Sequence, residues 1–167
     1  MQQYGFVIKV SDLLHNPWSS DIVNFSGKKT TQLSGLSNDG ISWKVRLRSL
    51  NDSDISVVIE ELNLELNLDC DRCWVQYKKN INLEEIDGKF TTNIDDWYHE
   101  DYVYPINVKD LNIDIEDFIV HSVSLEQDIV NYCENCQKII DQLSEDEDID
   151  LYENDEKNFW RASFIIK

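Results

Sequence analysis

The chain has no apolar run of the roughly 18 residues that a membrane-spanning helix needs. Its first ten residues, MQQYGFVIKV, contain no basic n-region, no apolar segment of signal length and no small-residue cleavage site. A glycine-rich phosphate loop, a GxSxG nucleophile elbow and an HExxH motif are also missing. These absences predict a cytoplasmic protein with no membrane partner and no small-molecule substrate, and they leave three common enzyme classes without their motif.

Basic residues are scarce, because 15 Lys and Arg stand against 33 Asp and Glu and give a formal net charge of −18. Residues 1–50 carry a net charge of +3, so residues 51–167 carry −21. Membrane surfaces and bare nucleic acid are negatively charged and should be repelled by most of the molecule. The length fits a single domain over residues 1–167 that is large enough to bury a core.

One segment of the basic front third predicts a cationic strand face. The run WKVRLR alternates apolar residues with Lys44, Arg46 and Arg48. Cations at alternate strand positions lie roughly 6.5 to 7 Å apart, a spacing that suits contacts with an RNA backbone. The interpretation that we favour is that these cations pair across strands with carboxylates such as Glu61 and Glu65. Direct RNA binding through this face is then expected to be weak.

The only cysteines are two CxxC pairs, Cys70 with Cys73 and Cys133 with Cys136. In a reducing cytoplasm such pairs indicate metal or redox chemistry rather than disulfides. Four thiols can close a tetrahedral zinc site that leaves no position open, and such a site is structural rather than catalytic. The redox alternative needs a CxxC at the start of a helix, after a strand, and neither pair shows that placement. We therefore predict one structural zinc ion.

The first cysteine pair lies at the tip of a predicted β-hairpin. Residues 61–70 alternate strictly, with four leucines and Cys70 on one face and polar residues on the other. A second extended run covers residues 74–83. Asp71 and Arg72 then form the turn, where Arg72 either offsets the negative charge of a four-thiolate site or is simply an exposed turn residue.

Helical spacing of apolar residues predicts the main helix over residues 114–125, with acidic residues at its N-terminal end. Extended patterns predict strands over residues 4–10, 41–49, 55–69 and 74–83. Together these elements predict an α+β fold. It would combine an antiparallel sheet or partly closed barrel with one main helix and a zinc site of four cysteines.

Two further segments are dense in acidic residues. Residues 95–104, DDWYHEDYVY, place carboxylates beside His99, but no spacing brings them together, and a polar loop is favoured over acid–base catalysis. His15 and His121 are isolated and are interpreted as structural. In EDEDIDLYENDE eight of twelve residues are acidic, which predicts a mobile segment over residues 144–157 that is either solvated or holds a basic protein.

The motifs SDLLHNP, LDCDRCW, NIDIEDFIVHSVSL and CENC, in this order, resemble the YceD family of large ribosomal RNA subunit accumulation proteins. The family's C-x-R-C motif is matched by Cys70, Arg72 and Cys73, and its frequent second cysteine pair is matched by Cys133 and Cys136. The resemblance implies a non-enzymatic role in the synthesis, processing or accumulation of 23S ribosomal RNA. It implies a pre-ribosomal large subunit, a ribosomal protein or an rRNA-processing factor as the partner. The alternative is an acidic interaction protein unrelated to ribosomes that mimics nucleic-acid charge or binds a basic protein.

Overall fold

The computed structural model describes residues 3–93, 95 and 102–147. Strands and helices alternate irregularly along these residues, so the fold is mixed α+β, as predicted. The elements are β1 (Gln3–Tyr4), β2 (Val7–Lys9), α1 (Ser11–His15), β3 (Ser20–Lys28), β4 (Ile41–Ser49), β5 (Asp54–Asp69), β6 (Gln76–Thr91), β7 (Val103–Pro105), β8 (Asn112–Asp114), α2 (Glu116–Leu125) and α3 (Glu134–Glu147).

The strands form two sheets. The larger sheet has the order β3-β4-β5-β6-β7, and the smaller sheet has the order β1-β2-β8. Pairing is antiparallel from β3 to β5 and throughout the smaller sheet, whereas β6 and β7 run parallel. Within the described residues, β3 and β7 are the end strands of the larger sheet. Of the two predicted forms, the fold therefore takes the open sheet rather than the barrel.

Most of the predicted strands are present, with altered ends. The predicted strand over residues 4–10 is instead two short strands, because Gly5 has a φ of 64° and turns the chain between them. β6 extends eight residues beyond the predicted end at Leu83, to Thr91. β5 and β6 are hydrogen-bonded neighbours joined by residues 70–75. A connection of this length is too short for a parallel crossover, so the two strands form the predicted hairpin.

A β-bulge near Glu61 changes which positions of β5 are buried, from odd-numbered to even-numbered residues. Ile55, Val57 and Ile59 are buried at odd positions, whereas the buried leucines that follow lie at even positions, 62, 64 and 66. Glu61 has a φ of 55°, and the pairing of β4 with β5 shifts register at this point. One extra residue therefore keeps both halves of the strand packed on the core.

The described residues divide into two compact units. Within the described residues, unit 1 comprises residues 3–68, 77–93, 95 and 102–129, and unit 2 comprises residues 69–76 and 130–147. Two such units can belong to one domain, so the single domain over residues 1–167 stays a prediction.

Aromatic and branched side chains fill the core of unit 1. Trp43 lies between Phe6 and Phe25, with ring centroids 5.3 and 4.7 Å away. Helix α2 contributes Phe118, which is fully buried and contacts Phe90 edge to face at 6.2 Å. α2 begins two residues later than predicted and ends at the predicted Leu125. This core fixes the cationic strand β4, whose apolar face is buried along its whole length.

Candidate metal centre

Four sulfur atoms come together in unit 2. The Sγ atoms of Cys70, Cys73, Cys133 and Cys136 all lie within 4.8 Å of one another, and all four cysteines are free thiols. Cys73 Sγ and Cys133 Sγ are 3.7 Å apart. Cys70 and Cys136 are buried, Cys133 is half-buried and Cys73 is exposed. The two pairs therefore meet, and the four cysteines together could hold a metal ion.

The first pair lies on a tight turn directly after β5. The Cys70 N–H donates to the Val75 carbonyl at 3.0 Å, and the Trp74 N–H donates to the Cys70 carbonyl at 2.9 Å. Trp74 has a φ of 63°, a left-handed conformation that reverses the chain between the two strands. The side chain of Arg72 is exposed on this turn. Arg72 is therefore an exposed turn residue, whereas its backbone N–H donates to the Cys70 sulfur.

The second pair opens helix α3. Cys133 directly precedes Glu134, the first helical residue, and Cys136 lies in the first turn. The Gln137 N–H donates to the Cys133 carbonyl at 2.9 Å, as in the first turn of a helix. This pair therefore stands at the start of a helix, which was not expected, but that helix follows α2 and a loop rather than a strand, so the strand-then-helix placement of a redox CxxC is not present here. The helix was missed because it is mostly polar, and Cys136 is its only residue through Leu143 that is fully buried.

Two hydrogen bonds beside the sulfurs join the turn of the first cysteine pair to the residues just before the second pair. The Asp71 N–H donates to the Asn131 carbonyl at 2.8 Å, and the Asn131 N–H donates to Asp71 Oδ2 at 2.6 Å. The sequence interpretation treated Asp71 only as a turn residue and did not single out Asn131. This reciprocal pair brings the two CxxC turns together through contacts that contain no sulfur.

The surroundings spread the pKa values of the thiols. Burial alone would raise the pKa of Cys70, but backbone N–H groups, including those of Cys133 and Cys73, donate to its sulfur and lower the pKa to about 6. Burial and hydrogen bonds with the neighbouring thiols raise the pKa of Cys136 to about 12. The Val75 N–H lowers the pKa of Cys73, yet contact with Cys70 and burial outweigh it and leave that pKa raised. A thiolate thus lies beside protonated thiols, and a bound cation would favour ionisation of all of them.

The cationic face of β4 is paired in part. Lys44 Nζ lies 2.7 Å from Glu60 Oε2, and Arg46 Nη2 lies 2.9 Å from Glu60 Oε1. The cross-strand pairing that the sequence favoured is therefore present, but its acceptor is Glu60 rather than Glu61 or Glu65. The strand register explains the difference, because Glu60 lies directly opposite Lys44, whereas Glu61 lies at the bulge and Glu65 beyond it. RNA contact through these cations stays a prediction.

Arg48, the third cation, contacts an aromatic ring instead of a carboxylate. Its guanidinium carbon lies 6.0 Å from the centroid of the Trp18 ring, a cation–π distance. The sequence interpretation did not single out Trp18, which precedes β3 by two residues. The antiparallel pairing of Ser20 with Arg48 brings it near. No strand was predicted over Ser20–Lys28, so this contact was not indicated by the predicted elements.

Of the remaining sequence candidates, those that the structure describes do not join the metal centre. Asp95 is exposed, and His99 with the rest of its acidic cluster up to residue 101 lies outside the described residues. His15 contacts a backbone carbonyl of its own helix, and His121 contacts a tyrosine hydroxyl. Both histidines thus have the local partners that a structural role predicts. Of the predicted acidic segment 144–157, only the part that ends α3 is described.

Among the helices in the described part of the chain, none is long and apolar enough to cross a membrane. Comparison with family models, curated proteins and solved structures finds no match to this chain. The candidate site is therefore defined by its own geometry, which is a closed cluster of four sulfurs.

Proposed function

We propose that the chain is a non-enzymatic ribosome-biogenesis factor of the cytoplasm, with a structural zinc ion bound by Cys70, Cys73, Cys133 and Cys136. The observation that carries the zinc assignment is the mutual contact of four sulfurs with no other donor needed. Zinc–sulfur bonds of about 2.3 Å in a tetrahedron separate the sulfurs by about 3.8 Å. The 3.7 Å between Cys73 and Cys133 fits this value. Four thiolates and one zinc ion leave a local charge of −2.

A four-thiolate zinc site argues for a structural rather than a catalytic role. All four positions around the ion are taken by protein, so a substrate or an activated water has no place on the metal. The ion would instead link residues 69–76 to residues 130–147 within unit 2. Function then belongs to the surfaces that this link holds in shape.

The ribosomal part of the proposal rests on the sequence resemblance to the YceD family. Its motifs include the C-x-R-C of the first turn and the second pair at the start of α3. We propose that the protein supports the synthesis, processing or accumulation of 23S ribosomal RNA. Its partner would be a precursor large subunit, a ribosomal protein or a processing factor.

Metal analysis of the purified protein tests the zinc site. We expect about one zinc per chain, lost in both Cys70→Ser and Cys133→Ser, because each CxxC pair supplies half of the ligands. Asp71→Asn is the matched control, since it disturbs the bracing hydrogen bond to Asn131 and removes no sulfur. Zinc retained at full stoichiometry in Cys133→Ser would refute a shared four-cysteine site.

Deletion of the gene tests the ribosomal role. We expect precursor RNA of the large subunit to accumulate, mature 23S RNA to fall and the free large-subunit peak to shrink. The wild-type gene should restore all three, and Cys136→Ser should restore them poorly because its product lacks a ligand. Normal RNA levels and normal subunit profiles in the deletion strain would refute this role.

The charge of the chain supports a second candidate. Residues 51–167 carry a net charge of −21, which suits an acidic interaction protein that binds a basic protein or mimics nucleic acid. This candidate predicts a basic protein that co-purifies with the chain and is released as salt rises, while the ribosomal RNA stays normal. The deletion experiment therefore separates the two functions.

A further inference from the structure

The surface beside Trp18 combines an exposed aromatic ring with a fixed backbone. The indole is 69% exposed, although tryptophan usually buries most of its surface. The Trp18 N–H donates to the Ser49 carbonyl at 3.2 Å, and the Ser49 N–H donates to the Ser19 carbonyl at 2.9 Å. Trp18 also has a φ of 70°, a conformation that is unfavourable for a residue with a side chain. The fold thus holds this ring at the surface in a strained position.

A cavity of about 470 Å³ lies next to the ring in unit 1. Its lining combines one aromatic ring, two guanidinium groups, two hydroxyls and one small apolar side chain, from Trp18, Arg46, Arg48, Ser20, Ser56 and Val58. None of these lining side chains is acidic, on a chain whose formal net charge is −18. The cavity is therefore a place where an anion can bind, on a molecule whose net negative charge otherwise repels anions.

The two arginines of the cavity differ in their electrostatic surroundings. Arg46 shares Glu60 with Lys44, so part of its charge is already neutralised. Arg48 has no carboxylate partner among the described residues, and its charge lies against the face of Trp18. An anion in the cavity would therefore interact most strongly with Arg48. A flat group bound beside it could stack on the exposed indole.

We propose that this cavity binds single-stranded nucleic acid, with one base stacked on Trp18 and an adjacent phosphate bound by Arg48 and Arg46. Aromatic stacking next to cations is how proteins hold unpaired strands, because every base has a π-face and every link has a phosphate. Bases within a duplex are already stacked on each other and cannot stack on a side chain in this way. The volume lies within the range of about 300 to 1,000 Å³ of small-ligand pockets, which suits one nucleotide and excludes a duplex.

The choice of RNA as the natural strand rests on the proposed function. The contact chemistry itself is the same for single-stranded RNA and DNA, apart from the 2′-hydroxyl. Binding of either strand by the purified protein is independent of any effect on ribosomes. A normal ribosome profile in the deletion strain would therefore refute the proposed function and leave this inference standing. Absence of strand binding would refute this inference and leave the proposed function standing.

Fluorescence anisotropy with labelled ten-nucleotide strands tests the inference. The probes are single-stranded RNA, single-stranded DNA of the same sequence and the corresponding RNA duplex, all at 50 mM salt. We expect both single strands to bind and the duplex to bind at least tenfold more weakly. One neutralised phosphate predicts a slope of about −0.7 for the logarithm of affinity against that of salt, or roughly 2.6-fold weaker binding at 200 mM than at 50 mM.

Matched variants separate stacking from general effects. Trp18→Ala should weaken binding by about 5- to 150-fold, the range for loss of one stacked base, whereas Trp18→Phe should retain most of the affinity. Trp74→Ala is the control, because Trp74 is also an exposed tryptophan with positive φ but lies in unit 2. Arg48→Gln should weaken binding and flatten the salt slope, whereas Lys78→Gln should change neither.

Three outcomes would overturn the inference. The first is that no single strand binds at 50 mM salt up to 1 mM protein, with the wild-type fold verified by circular dichroism. The second is that Trp18→Ala, shown to be folded in the same way, binds as tightly as the wild type. The third is that inorganic triphosphate competes as well as a trinucleotide, which would leave an anion site without a base contact.

Discussion

Binding of zinc to the four cysteines should release at least two protons at pH 7. The raised pKa values of Cys73 and Cys136 mean that both thiols are protonated at this pH in the metal-free protein, and both must ionise to bind the metal. Cys70, with a pKa of about 6, is already mostly ionised at pH 7 and becomes protonated as the pH falls below 6. The number of protons released therefore rises to at least three near pH 5. For each proton released, the apparent affinity for zinc falls about tenfold when the pH falls by one unit.

Calorimetric titration with zinc in buffers of different ionisation enthalpy measures this number directly. Each released proton is taken up by the buffer, so the observed enthalpy plotted against buffer ionisation enthalpy should have a slope of −2 or steeper at pH 7.0. At pH 5.0 the slope should be more negative by about one. Cys136→Ser should release one proton fewer and bind more weakly. A slope shallower than −2 at pH 7.0, or a slope that does not change with pH, would refute this order of pKa values.

Further predictions concern the packing of unit 1, each tested by urea denaturation. Gly35→Ala places a methyl group 2.2 Å from the Asn67 backbone oxygen. It should lower the free energy of unfolding by more than the roughly 1–2 kcal/mol expected for Gly5→Ala, where the same left-handed backbone meets open space. Equal losses of stability in the two variants would contradict the steric argument. Asp54 accepts a hydrogen bond from Thr91 at 2.6 Å, and although burial raises its pKa, its hydrogen bonds and a nearby lysine lower it overall. Asp54→Ala should therefore lower the free energy of unfolding by about 1.5 to 3 kcal/mol above pH 4, and this loss should shrink as the pH falls through the lowered pKa of Asp54. A loss that does not depend on pH would contradict this assignment. Phe90→Ala should cost about 3 to 5 kcal/mol, because the ring is fully buried against two aromatic neighbours, and a cost below 1 kcal/mol would contradict that packing.

Three strands of the larger sheet, β4, β5 and β6, were predictable because period-two alternation in a half-buried strand has one physical solution, whereas β3 and β7 were not predicted. Residues 41–49 show this, since their apolar positions are all buried. The bulge at Glu61 was not predicted, although the buried parity changes between Ile59 and Leu62. In a regular strand Glu60 and Glu61 would point to opposite faces, so two glutamates between the apolar sets were a signal of an extra residue. The register shift in the pairing with β4 places the bulge at this point.

The candidate sites were predictable to different degrees. The cysteine spacing predicted a shared site, but convergence of the two pairs depends on tertiary contacts such as Asp71 with Asn131, which leave no periodic signal. The start of α3 was missed although Cys136, Ile140 and Leu143 follow helical spacing, because these few apolar residues stand among polar and acidic ones and give a weak signal. Trp18 was missed for a similar reason, because its contact with Arg48 joins residues 30 positions apart across two strands.

The separation of Cys73 from Cys133 by 60 positions in the sequence also has a consequence for synthesis on the ribosome. At roughly 5 to 20 residues per second, the second pair emerges about 3 to 12 seconds after the first. During that interval the nascent chain presents only two of the four sulfurs, with Trp74 beside them. A zinc ion captured then would be held by half a site and would exchange readily. Stable metal loading, and with it the closure of unit 2, is therefore expected to be a late step that follows translation of Cys136.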